Sequence, residues 1–148
     1  MDINKRVFTL LLFAVSAILI GCTKDYSYTT GLIIENRSKH AIEITVQTNP
    51  GGNRLIPIPL RLKDGENHSG GYSTEGSFAG YPNFLSARIK FDNNIEFVHR
   101  IEDGNAYHNF CDEKAYVRSQ PDKEREVFAF VFTDEDYEYA KQHADKTE

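Results

Sequence analysis

The sequence predicts an all-β fold, a sandwich of antiparallel strands closed by a short C-terminal helix. Beyond residue 31, apolar and polar residues alternate with period two through most of the chain. Turn clusters such as Asn36-Arg37-Ser38-Lys39 and Asn49-Pro50-Gly51-Gly52-Asn53 separate the alternating runs. Helical spacing follows only after residue 133. With 148 residues, 40% hydrophobic and 26% charged, the chain has the size and composition of one domain. That length excludes an enzyme of the TIM-barrel or two-domain dinucleotide-binding type, which needs about 250 residues. Its 17 basic against 22 acidic side chains argue against a nucleic-acid partner. Two cysteines cannot form a disulfide framework.

Each element follows from local pattern. Leu32-Ile33-Ile34-Glu35 is a β-branched run ended by a turn cluster, and Ile42, Ile44 and Val46 then alternate with Glu43, Thr45 and Gln47. The two read as an antiparallel hairpin. From Leu55 to Leu62, Ile56, Ile58, Leu60 and Leu62 fall on one face, while Pro57 and Pro59 remove ladder donors and place the segment at a sheet edge. Leu85 to Asp92 and Ile95 to Glu102 form the clearest hairpin, turning at Asn93-Asn94. A strand is predicted over Ala115 to Arg118, and Gln120-Pro121-Asp122-Lys123 turns the chain into Glu126 to Thr133. That last run is apolar on both faces, as a central strand covered on each side would be. Thr133-Asp134-Glu135-Asp136 caps a helix on which Tyr137, Ala140 and Ala144 recur, with Lys146 to Glu148 frayed. Six or seven such strands resemble the immunoglobulin-like and transthyretin-like sandwiches.

The first residues carry a processing signal. Lys5 and Arg6 precede an apolar run from Val7 to Ile20, 14 residues long, which is the length of a secretory h-region and short of a membrane span. Leu19-Ile20-Gly21-Cys22 follows, and this tetrapeptide resembles the lipobox of bacterial lipoproteins. The resemblance implies cleavage before Cys22, acylation of its sulfur and amino terminus, and membrane attachment through those chains. Two or more acyl chains make a stable anchor where one does not. Removing residues 1–21 leaves 15 basic and 21 acidic side chains, so lipid rather than charge must hold the chain. Thr23-Lys24-Asp25 resembles the surface-export signals of some gram-negative lipoproteins and implies display at the outer membrane. The organisation expected is a signal peptide over 1–21, an acylated N-terminus and tether over 22–30, a sandwich over 31–133, and a helix and tail over 134–148.

Chemistry is sparse. Gly71-Tyr72-Ser73-Thr74-Glu75 approaches a nucleophile elbow but lacks its second glycine and a following helix. His108 and Cys111, with His99 on a neighbouring strand, admit a metal site or a Cys/His dyad, yet no further ligand at fitting spacing completes either. Asp134, Asp136 and Glu138 have calcium-loop spacing, with Tyr139 where glycine belongs; helix capping fits better. Residues 63–84 combine five glycines with Tyr72, Phe78, Tyr81 and Phe84. Long loops are often functional, and rings on one can stack on a sugar or grip a protein. These four are the expected ligand-binding residues; the alternative is a loop with its own short strand around Gly70 to Ser73, whose aromatics cover the open end of the sandwich. The sequence predicts a non-enzymatic, membrane-anchored binding module for a glycan or protein ligand, with no cofactor and no metal. Its alternative is a structural accessory subunit of an envelope assembly.

Overall fold

The computed structural model describes residues 26–49 and 55–144. The signal segment, the lipobox with Cys22, most of the Asn49–Asn53 turn and the last four residues lie outside them. Among the described residues, β1 spans Ser27–Asn36, β2 Ile42–Thr48, β3 Leu60–Leu62, β4 Asn67–Glu75, β5 Phe84–Phe91, β6 Glu96–Arg100, β7 Val117–Asp122 and β8 Arg125–Phe132. A 3-10 turn, Glu113–Ala115, precedes β7, and helix α1, Asp134–His143, follows β8. Sheet A has the order β4-β1-β8-β7 and sheet B the order β3-β2-β5-β6. The fold is the predicted all-β sandwich with a C-terminal helix. No described helix is long and apolar enough to cross a membrane.

The alternating residues become the core because every second side chain of a strand faces the same way. Leu32 and Ile34 from β1, Ile42, Ile44 and Val46 from β2, Ala87, Ile89 and Phe91 from β5, and Phe128, Phe130 and Phe132 from β8 are buried between the sheets. Phe110, from the connection between β6 and β7, enters among them, its ring 4.9 Å from Phe130 and 5.3 Å from Phe84. A buried Phe contributes roughly 1.5–3 kcal/mol by its removal from water.

Several elements differ from expectation. β1 and β8 run parallel, from Thr29 opposite Arg125 to Asn36 opposite Phe132, because the first and last strands meet without a shared turn. β1 begins at Ser27, so residues 27–30 of the expected tether are strand; Thr30 is buried, and the amide of Thr29 bonds to the carbonyl of Glu124 at 2.7 Å. β1 and β2 are not a hairpin, for they belong to different sheets. Asn36 makes the crossing. Its buried side chain donates to the carbonyls of His40 (2.8 Å) and Leu62 (3.1 Å) and accepts from the amide and hydroxyl of Ser38.

Of residues 55–62, only Leu60–Leu62 is strand, since no ladder can form until the prolines are passed; Ile58 is exposed while Leu55 and Ile56 are buried. The edge position is as predicted. The expected strand at Ala115–Arg118 starts instead at Val117 and runs through Pro121 to Asp122. β8 is central, with Phe128, Phe130 and Phe132 inward, but Ala129 and Val131 on its outer face are only half-buried.

Candidate functional site

Residues 63–84 do not form a long loop. Nine of them, Asn67–Glu75, pair with β1 from Ser27 to Glu35, and a Cβ at Gly70 would collide with the carbonyl oxygen of Leu55, which lies against that face of the strand. The four expected ligand-binding residues are dispersed accordingly. Phe84 is fully buried at the start of β5. Tyr81 is also core: its hydroxyl donates to the carbonyl of Phe110 at 2.9 Å, and burial pushes its phenol well above the ordinary range. Tyr72 is half-buried against the core, and Phe78 meets Tyr28 edge-on at 4.9 Å. Two of the four are thus core and two are half-buried.

A buried carboxylate fixes that end. Glu126 faces inward beside Phe128 and is fully enclosed. Oε1 accepts the Thr30 hydroxyl (3.0 Å) and the Gly80 amide (3.2 Å), and Oε2 accepts Arg118 Nη2 (2.9 Å). The residue ties β1, β7 and the β4–β5 connection to β8.

His99, His108 and Cys111 share one region. His99 faces inward from β6, 3% exposed. The Phe110 amide donates to its Nδ1 at 2.9 Å, so the neutral ring carries its proton on Nε2, which has no hydrogen-bond partner. Burial holds the imidazole pKa down to about 4. The Cys111 thiol turns to the His99 carbonyl at 3.6 Å rather than to an imidazole, and burial pushes it up to about 12. A protonated thiol so placed is no nucleophile. His108, at φ 44°, brings Nδ1 to 2.6 Å from the buried Asp136 carboxylate and stacks on Phe130. The other Asp136 oxygen accepts the Thr133 amide at 2.8 Å, which is the helix cap expected there. Among the described residues, no three His, Cys, Asp or Glu side chains are grouped to hold a metal ion.

A concavity lies at the outer edge of β6. Helix α1 packs there, with Tyr139 6.1 Å from Phe97. The loop after β6 is pinned alongside, since Asn109 Nδ2 donates to the carbonyls of Arg100 (2.9 Å) and Asp103 (3.3 Å). Between them is a cavity of 520 Å³ lined by residues 97–100 of β6, residues 102–106 of the loop, Tyr139 and His143. Ligand sites commonly enclose about 300–1,000 Å³. Tyr139 is the shared wall of two clefts. His143 stacks on it at 4.0 Å and Tyr107 leans on it at 5.3 Å. On its far side a mainly apolar cleft of 410 Å³ runs between Tyr107 and Glu135, Glu138 and Gln142.

Sequence reading missed Tyr107, Tyr139 and His143. The i, i+4 spacing of Tyr139 and His143 on a helix was the available signal; Tyr107 joins them through a loop that carries none. Comparison with protein-family models, curated proteins and solved structures finds no match to the chain.

Proposed function

We propose that the protein is a lipid-anchored, non-enzymatic binding module of the bacterial envelope, with its ligand seated in the groove between β6 and α1. The observation that carries this reading is the 520 Å³ cavity beside β6, with His99 in its lining, Tyr139 and His143 as its wall, and Tyr107 against the far side of Tyr139. Rings give contact area at low entropic cost, and the polar groups around them supply orientation. Cys111, held protonated, and His99, held neutral, favour binding over nucleophilic or acid–base chemistry. The lipobox, Leu19-Ile20-Gly21-Cys22, supports the anchor, and Lys24-Asp25 supports display at the outer membrane.

Titrating the full-length chain in detergent micelles with soluble oligosaccharides and with extended peptides, while following the ring resonances of Tyr107 and Tyr139, tests the site. Shifts confined to these rings and β6 support it. Rings that stay unmoved while a ligand binds elsewhere refute it.

One observation favours the accessory-subunit reading. On the outer face of sheet A, Ile33 (36% exposed) stands beside Ala129, and Ala129 beside Val117 (69% exposed). Such an apolar row suits a docking surface. Loss of co-purifying envelope protein in Val117→Lys would support this reading over the groove.

A further inference from the structure

We propose that the groove takes an extended peptide segment of a protein partner, added to sheet B as a fifth strand along β6. The inference rests on the reading of the groove as the binding site and names its occupant. Within sheet B, β6 pairs with β5 alone. The amide of Phe91 donates to the carbonyl of Ile95 at 2.8 Å, and the amide of Ile101 to the carbonyl of Leu85 at 3.0 Å. Residues 95, 97, 99 and 101 therefore bond to β5, while Glu96 and Val98 turn their N–H and C=O groups toward the free edge. Arg100, next in that series, is occupied: its amide donates to Asp103 Oδ2 at 3.2 Å and its carbonyl accepts from Asn109.

Two of the other sheet edges are interrupted: β3 is three residues long and follows Pro57 and Pro59, and β7 contains Pro121. Beside β6 there is a cavity instead, walled by Tyr139 and His143. An added strand would satisfy the exposed main-chain groups and offer alternate side chains to Phe97 and Tyr139. Glu102 and Asp103 in the cavity outnumber Arg100 there, and Glu135 lies beyond Tyr139, while Glu138 is paired with Lys141; the balance favours a basic peptide.

The test pans the full-length chain in detergent micelles against phage-displayed random decapeptides, with a panel of chito- and malto-oligosaccharides run in parallel. The expected peptides carry Lys or Arg and alternating apolar residues. N-methylation of alternate peptide amides should weaken binding at least tenfold, and Val98→Pro should abolish it. The Val98 N–H does not bond to β5, so proline there leaves the ladder whole. Should thermal melting show that this variant fails to fold, the N-methyl scan on the unaltered chain decides. Peptide binding indifferent to N-methylation overturns the strand-addition proposal. Oligosaccharide binding alone, with shifts at Tyr107 and Tyr139, overturns it while leaving the groove as a site. Failure of every probe to move those rings overturns both.

Discussion

Thr30 and Glu126 stand opposite each other in the parallel β1–β8 pair, and the hydroxyl of Thr30 donates to the enclosed carboxylate at 3.0 Å. The same oxygen accepts the amide of Gly80, and Arg118 reaches the other from a partly exposed position. A buried charge with its partners in place is roughly neutral for stability, whereas removing one side of the arrangement is costly. Glu126→Ala, which leaves the Thr30 hydroxyl and the Gly80 amide without their acceptor while the half-exposed Arg118 turns to water, should lose about 1–3 kcal/mol. Thr30→Val should lose about 1 kcal/mol. Urea denaturation of the two variants and their double variant checks this; near-additive losses would show that the two side chains do not act together.

Burial of Tyr81 leads to a contrast between two substitutions. Tyr81→Ala should cost about 3–5 kcal/mol, as for an aromatic removed from a core. Tyr81→Phe should cost only about 1 kcal/mol, since the Phe110 carbonyl still accepts from Tyr116 at 2.8 Å. A stable Tyr81→Ala chain would return this residue to the surface role expected from sequence.

His99 predicts a pH dependence. Its folded pKa of about 4 lies below the ordinary 6.5, so between those values the unfolded chain binds more protons than the folded one. Stability contributed by the neutral ring is fully present above pH 6.5 and is lost as pH falls toward 4, by about 3 kcal/mol over the window. Asp92 and Asp134 are lowered by their partners, and their contribution is lost at more acid pH. Denaturant midpoints measured from pH 7.5 to 4 should fall in the native chain and stay flatter in His99→Leu. Equal slopes in the two would exclude His99 as the source.

Cys111 should resist thiol reagents in the folded state. In a Cys22→Ser chain, colour development with a disulfide reagent should follow the unfolding rate, because the thiol is both enclosed and held protonated. Rapid reaction with the folded chain would contradict its placement.

The strands were legible wherever alternation was strict. β2, β5 and β6 follow from Ile42-Ile44-Val46, Ala87-Ile89-Phe91 and Phe97-His99, and the helix follows from Thr133 and the acids behind it. Pairing was less legible, because alternation tells a residue's face and not its neighbour. Asn36 sends β2 to the other sheet through hydrogen bonds to residues up to 26 positions away. Of β4, only a short strand around Gly70 to Ser73 within a loop is legible, because its Ser-Gly-Gly composition lacks the usual strand residues, yet the strand spans Asn67–Glu75 and Gly70 is required by the close passage of Leu55. Glu126 gave no sign of burial, since its partners come from three separate segments. The groove escaped notice for the same reason: Tyr107, Phe97 and Tyr139 meet only after α1 folds back on β6.

The central claim is that the β6–α1 groove, rather than the face of sheet A, meets the ligand. A photoreactive diazirine side chain placed at Asn105 in one strain and at Val117 in another, followed by irradiation of living cells, tests it directly. The account predicts an adduct from Asn105 that disappears when Tyr139 is also changed to Ala, and none from Val117. Adducts from Val117 alone would contradict it and place the interaction on the sheet.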